Sequence, residues 1–445
     1  MDKRALIIGT SEETSYLTHL LGSLGIVNEI LDNPDILKKR LKDKSVCVAI
    51  FDIDSVKSKN SGKYTAMFAA VRGSKKDFII LSSDKLPEAV LEAKDAGAAD
   101  YLIKPFSQRE FVNHINAVIN KKIKISCIGG GTGLFNVLSA IKDLPNILLT
   151  SIVSMSDSGG SSGKLRVDFG ILPPGDVRRS LVALSNAPEI MNDLMQYRFR
   201  KGDGLSGHNL GNLLLAALSE IEGSMPQAIK RLGDILNIQG FVMPVTETEN
   251  MLCALFEDDS VVKGEDKIDI PDDRNPNLRI KELWHEPEVQ CSAEAYAAII
   301  NSDMVIIGPG DLFTSVTTNL IIDGIADAIA KTLGKKVYIC NLMTKPGETS
   351  GLGASEHVRA IIDALGRDSL DYVIVSSTKF SDAAFAQYRE KGQLPVAISD
   401  ISNIRIDTKA DIIIADVGDE KELVRHDKEK LKNVLQSIIA KISRG

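Results

Sequence analysis

The sequence is poor in several features that would mark a class. It has five cysteines, six histidines and one tryptophan in 445 residues. The cysteines, Cys47, Cys127, Cys253, Cys291 and Cys340, lie far apart and make no CxxC pair. Each falls in or near an apolar run, so buried free thiols are expected. There is no excess of positive charge. With a net charge of −7 a large basic face for nucleic acid is not expected, while a local basic pocket for a phosphate ligand is compatible with it. No apolar run reaches the ~20 residues of a membrane span. The opening MDKRALIIGT passes from charge straight into a short β-run, unlike a signal peptide. A cytoplasmic protein is the expectation.

Hydrophobic residues make up 44% and charged residues 25%, the balance of a globular chain. The length predicts two or three domains. Residues 1–121 alternate short β-runs, at Ala5–Ile8, Val27–Leu31, Val46–Phe51, Phe78–Leu81 and Tyr101–Ile103, with helical patterns that end at Gln108–Ile119. Such β/α units form a parallel sheet with helices on both faces, and ligands meet it at the strands' carboxyl ends. Asp52, Ser82 and Lys104-Pro105 stand at those ends. This resembles the receiver domain of two-component response regulators. The resemblance implies that Asp52 is the phosphoacceptor, with Ser82 and Lys104 contacting the phosphate. The acidic pair that holds Mg²⁺ in that family is missing, since Gly9 and Thr10 follow the first strand and Glu12 and Glu13 begin the helix. Two readings stand: a degenerate receiver used in regulation or dimer contact, and a working phosphoacceptor.

Residues 122–445 are expected to form a second doubly wound α/β domain. It opens on the run KIKISCIGGGTGLFNVLSAI. An apolar β-run leads into Gly129, Gly130, Gly131, Thr132 and Gly133, and a helical pattern starts at Leu134. Strand, glycine turn and helix N-terminus together suit a phosphate. Leu134 stands where GxGxxG needs glycine, so the dinucleotide fingerprint is absent. The next β-run, Asn146–Met155, ends in Ser156, Asp157, Ser158, Gly159, Gly160, Ser161 and Ser162. Asp157 suits a ribose, a metal or a turn cap, and the glycines and serines around it offer N–H and hydroxyl donors. Pro173-Pro174-Gly175 bends the chain, with Asp176 as N-cap of a helix carrying Arg178 and Arg179.

Gly207, His208, Asn209, Gly211 and Asn212 introduce the apolar helix LLLAALSEI. His208 has no second histidine at helical spacing, which argues against zinc. It is a donor to phosphate or a loop residue, while Asn209 and Asn212 read a base or sugar or cap the helix. Residues 240–284 read as short antiparallel strands set apart from the rest, with an irregular loop at Asp272 to Pro276. The parallel pattern resumes at Met304–Ile307, which ends in Gly308, Pro309, Gly310 and Asp311. It continues at Lys336–Cys340, ending in Asn341, Thr344, Gly347 and Glu348, then at Tyr372–Ser377 and Asp411–Ala415. Loops of Gly, Ser, Thr, Asn and Asp gathered on one sheet edge point to an extended anionic ligand.

The motifs GGGTG (129–133), SDSGGSSGKLR (156–166), LPPGD (172–176), QYRF (196–199), GHNLGN (207–212), GPGD with Thr314-Ser315, and NLMTKPGET (341–349) keep one order. Together they resemble the YvcK-like gluconeogenesis factor family of the 2-phospho-L-lactate transferase (CofD) superfamily. The resemblance implies a Rossmann-like core that binds a nucleotide-diphosphate sugar such as UDP-N-acetylglucosamine, in a regulator tied to cell shape, the cell wall and gluconeogenic carbon. On that reading Gly130, Gly131, Thr132 and Gly133 hold the diphosphate, and Asp157 holds ribose or Mg²⁺. Asn209, Asn212, Gly308 and Asp311 surround base or sugar. The alternative implied is a phosphotransferase of the phospholactate type, with Asp157 on Mg²⁺. Many relatives carry a second acid where Ser158 stands, which counts against tight metal binding. A third reading is a two-component output protein driven by Asp52. A second copy of the chain and a regulatory protein are the macromolecular partners expected.

Overall fold

The computed structural model describes residues 3–9, 13–57, 61–202, 204–271, 274–420 and 423–443. The chain divides into two compact units. One takes the residues up to Ile123 with Asn146–Leu148 and Tyr296–Asn301; the other takes Lys124–Pro145, Leu149–Ala295 and the residues from Ser302 onward. Among the described residues no helix is long and apolar enough to cross a membrane.

The first unit holds a five-stranded sheet of Arg4–Ile8, Val27–Leu31, Val46–Asp52, Phe78–Ser82 and Asp100–Ile103. The first strand pairs in parallel with the second and third, the third with the fourth, and the fourth with the fifth. The parallel sheet is the one expected from the β/α alternation, and its 2-1-3-4-5 order is that of the receiver fold. Leu17, Leu21, Phe111 and Ile115 from the flanking helices pack against Ile7, Ile50 and Ile79 on one sheet face. The last helix, Gln108–Ile119, starts at a capping box in which Ser107 and Glu110 satisfy each other's backbone N–H groups. Thr10, Glu12, Asp272 and Asp273 lie outside the described residues.

The second unit is built on a seven-stranded sheet. Its spatial order is Asp411–Ala415, Tyr372–Ser376, Lys335–Ile339, Met304–Ile307, Ile123–Gly129, Ile147–Val153, Phe241–Pro244. The chain starts at Ile123–Gly129, winds outward to Phe241–Pro244, then crosses back to Met304–Ile307 and winds outward on the other side. Strands Ile123–Gly129 and Met304–Ile307 are parallel neighbours, and the winding direction reverses between them. Both are buried at their carboxyl ends, as a sheet covered on both faces requires.

Two expectations change here. Phe241–Pro244 is not antiparallel and set apart; it pairs in parallel with Thr150–Val153 as the sheet's edge strand. Pro244, which lacks an N–H, is tolerated at such an edge. The antiparallel insertion is smaller, with Met251–Phe256 between Val261–Lys263 and Ile280–Glu286. Within it, Glu265–Asp269, part of the stretch expected to be antiparallel strand, forms a short helix instead. Leu252, Ala254, Phe256 and Ile268 close its core. After Asp411–Ala415 a two-stranded ribbon, Gly418–Asp419 with Arg425–His426, precedes the final helix Lys428–Ile442. That helix packs on Gly131–Ile141.

Candidate functional site

The glycine loop sits at the reversal of strand order. Strand Ile123–Gly129 ends, Gly130 is the N-cap, and the helix runs from Gly131 to Ile141. The helix therefore starts earlier than Leu134, and Gly131, Thr132 and Gly133 form its first turn. The facing loop is pressed against it. A Cβ on Gly133 would lie 2.2 Å from the Pro309 carbonyl oxygen and 2.8 Å from the Gly310 nitrogen. A Cβ on Gly130 would meet Asp176 Oδ2 at 2.3 Å. Only glycines allow backbone this close to backbone and to a carboxylate.

The strand Ile147–Val153 delivers Asp157, whose Oδ1 accepts the Gly159 N–H at 3.0 Å. Asp176 is not an N-cap. Pro174 holds that place, and Asp176 lies buried in the first turn of Gly175–Leu184. Burial pushes its carboxyl up to about 6, with the Arg179 guanidinium pulling against this and the Asp157 charge adding to it. Arg179 Nη1 lies 3.3 Å from Asp176 Oδ1. From the insertion, the Glu265–Asp269 helix brings more acid. Burial, then the charges of Asp157 and Asp269, raise Glu265 to about 8.

These residues line a cavity of about 530 Å³ within the second unit. Its walls include Gly131, Thr132, Gly133, Asp157 and Gly159 from the sequence-derived set, with Gly310 and Asp311 from the facing loop. Asp176, Arg179, Glu265, Asn341 and His426 join them without having been singled out as ligands. After Asp311 the chain makes a π-helical turn, Leu312–Thr317, which places Thr314 and Ser315 on the wall.

Other sequence-derived residues lie behind the wall. Ser158 Oγ donates to Asp266 Oδ1 at 2.5 Å and anchors the insertion helix. Gly160 opens the helix Gly160–Phe169. Gly308 joins the strand that leads into the glycine loop, its N–H donating to the Ile128 carbonyl at 2.9 Å. His208, Asn209 and Asn212 form a buried network instead of a cavity wall. Asn209 caps the helix Leu210–Glu222 by accepting the Asn212 N–H at 3.1 Å. Arg178 Nε donates to Asn212 Oδ1 at 2.9 Å, and His208 Nδ1 lies 3.4 Å from Ser161 Oγ. Burial lowers the Arg178 pKa to about 10, helped by Arg179 and Arg198. The motif's polar residues thus hold the loop that carries Asp157.

Among the described residues one group of three acids has metal-binding spacing: Asp269, Asp311 and Glu348. The Lys345 ammonium already sits among them. It bonds Asp269, lies 2.9 Å from Asp311 Oδ2 and 3.8 Å from Glu348 Oε1. Burial works against its charge, yet Asp311, Glu348 and Asp269 outweigh this and raise its pKa. Glu348 is held in turn by the Phe313 and Thr314 N–H groups at 2.9 and 3.2 Å. Mg²⁺ is bound through one or two carboxylates plus ligand phosphates in many sites. Asp157 and Asp176, mutually repelling hard oxygen donors beside the glycine loop, fit that role, whereas the Lys345 triad does not need it.

In the first unit, Asp52 is fully buried at the end of its strand. Lys104 Nζ lies 2.7 Å from Asp52 Oδ1, 2.6 Å from Glu13 Oε2 and 3.4 Å from Asp54 Oδ2. Ser82 Oγ donates to Asp54 Oδ1 at 3.2 Å. Burial opposes the Lys104 charge, but hydrogen bonds to Asp52 and Glu13 raise its pKa.

Fold and geometry define a doubly wound α/β protein whose acid-lined cleft lies where the strand order reverses. Residues 125–417 match the family described as 2-phospho-L-lactate transferase CofD, and the chain belongs to that family. It is 41% identical to a putative gluconeogenesis factor of Thermotoga maritima over 71% of this chain and 99% of that protein. It is 37% identical to a gluconeogenesis factor of Bacillus subtilis, over 72% of this chain and 99% of that one. The crystal structure of a UPF0052 family member from Bacillus halodurans covers 71% of this chain and 99% of its own, with 37% identity and a TM-score of 0.67.

Proposed function

We propose that the second unit binds a nucleotide-diphosphate sugar and acts as a regulator rather than a catalyst. The observation that carries this reading is the pairing of the GGGTG helix start with the Gly308–Asp311 loop at the strand-order reversal, opening into one cavity. Doubly wound sheets bind nucleotides at that place. First-turn N–H groups and the helix dipole suit a diphosphate there. Arg179 and Arg425 add positive charge to the same walls. Asp157 serves the ribose or, with Asp176, a Mg²⁺ carried in by the phosphates. The names of the relatives support a role in gluconeogenic carbon metabolism, and we extend it to control of cell shape and the cell wall in the cytoplasm. The receiver-like unit serves as the regulatory input. Calorimetry with UDP-N-acetylglucosamine tests the reading: saturable binding is expected, and its absence with and without Mg²⁺ overturns it.

The second reading is a phospholactate-type phosphotransferase, favoured by the acids Asp157, Asp176 and Glu265 around the glycine loop. Phosphoryl transfer needs little more than positioning and charge stabilisation. When bound, Mg²⁺ would supply that charge, and Asp157 would hold it. Turnover of a nucleotide-activated phospholactate with a deazaflavin acceptor, lost in Asp157→Asn, is the outcome that favours this reading.

A further inference from the structure

Two polar atoms beside the cavity have no hydrogen-bond partner. One is Asn341 Oδ1 and the other is His426 Nε2. Both residues line the cavity. Each belongs to a side chain otherwise held in place. The Asn341 amide donates through Nδ2 to the Gly310 carbonyl at 2.7 Å, which leaves its oxygen as a pure acceptor. His426 is 8% exposed. Burial lowers its pKa to about 4, against a hydrogen bond to the Cys340 backbone, so the ring is neutral at physiological pH. The Cys340 N–H is committed to the Ile374 carbonyl in the sheet. The His426 ring must then donate to the Cys340 carbonyl, and its unpartnered Nε2 carries a lone pair rather than a proton. Asn341 follows Cys340 directly in the chain, and both residues that carry the acceptors line the one cavity.

A buried acceptor without a donor is costly. Two of them on one cavity are better explained by a ligand than by packing. We propose that Asn341 and His426 form the subsite for a polyhydroxylated sugar, whose hydroxyl groups donate to both acceptors. This rests on the nucleotide-diphosphate reading above and assigns the sugar beyond the diphosphate to the wall beside Gly310. Phosphate is excluded as the occupant, because it offers acceptors to acceptors. A uracil ring offers one N–H donor and leaves the second acceptor unmatched.

The test is calorimetry on the full chain with UDP and with UDP-N-acetylglucosamine. His426→Phe removes one acceptor, Asn341→Leu removes the other, and His426→Gln restores an acceptor in a similar place. The unaltered chain is expected to bind the sugar conjugate more tightly than UDP. Each acceptor-deleting variant is expected to weaken conjugate binding about tenfold while leaving UDP within about twofold, with His426→Gln recovering part of the loss. Equal losses for the two ligands, or no loss for either, overturn the sugar subsite alone. If the unaltered chain binds neither ligand, the nucleotide reading falls and the subsite with it. Melting temperatures of the variants separate a lost contact from a lost fold.

Discussion

Gly133 and Pro309 face each other so closely that a Cβ on the glycine would lie 2.2 Å from the proline carbonyl oxygen and 2.8 Å from the Gly310 nitrogen. The two loops that meet at the strand-order reversal are packed backbone on backbone. The cavity's shape is therefore set by glycine at one position, 176 residues from its partner. Neither loop alone contains that information.

Gly133→Ala is expected to push the Gly308–Asp311 loop away. A steric change of this size costs about 1–3 kcal/mol, and ligand affinity is expected to fall at least tenfold. Gly159→Ala is the control. Its added Cβ meets nothing closer than 3.6 Å, at Asp157 and Asp266, so stability is expected to change by less than about 0.5 kcal/mol. Thermal melts and calorimetry on both variants check this.

The acids of the cleft make stability depend on pH in a defined direction. Asp176 is raised from 3.8 to about 6 and Glu265 from 4.5 to about 8. Each binds its proton more tightly folded than unfolded. Their contribution is thus complete below the unfolded pKa values and is lost as pH rises through about 6 and about 8. The ligand-free protein is expected to lose stability between pH 5 and pH 8. Asp176→Asn with Glu265→Gln is expected to flatten that slope by a few kcal/mol, an order of magnitude. Melting temperature against pH is the measurement.

Much of this architecture can be read from the chain. Strand ends carrying Asp52, Asp157 and Gly308–Asp311 are marked by apolar runs that stop at glycine or acid. Helix Gln108–Ile119 announces itself through Ser107 and Glu110. What fails is whatever depends on a distant partner. Phe241–Pro244 is four residues long, and only its pairing with Thr150–Val153 places it in the main sheet. Asp176 reads as a cap because its burial against Gly130 is invisible locally. GHNLGN looks like a ligand loop because buried polar networks and binding sites use the same residues. Lys345 binds Asp269, 76 residues away. The signal for it was present in NLMTKPGET, as a lone cation between glycine loops and acids.

Lys345 joins the insertion, the Asp311 loop and its own loop through three carboxylates. Lys345→Met is expected to leave those charges facing one another. Breaking such a pair costs about 3–5 kcal/mol when fully buried, and less here because Lys345 keeps 25% of its side-chain surface exposed. Oxygen ligands at this spacing suit a divalent cation. Millimolar Mg²⁺ or Ca²⁺ is therefore expected to raise the variant's melting temperature and to leave the unaltered chain's nearly unchanged. Equal shifts in the two proteins would show that Lys345 is not standing in for an ion.

The first unit makes the opposite use of a lysine. Lys104 draws Glu13, Asp52 and Asp54 onto one ammonium, where a receiver would gather acids onto Mg²⁺. Position 9, at the end of the first strand, has φ +131°. A Cβ there would lie 2.3 Å from Ser55 Oγ and 3.1 Å from Asp52 Cβ. An acid cannot be added at Gly9 without displacing Ser55 and crowding the strand end that carries Asp52. Incubation of the full chain with acetyl phosphate and Mg²⁺ is therefore expected to leave Asp52 unmodified, as read by mass spectrometry of the intact protein and of the peptide spanning Val46–Ser55. A Mg²⁺-dependent adduct on Asp52, lost in Asp52→Asn, would instead make this unit a working phosphoacceptor.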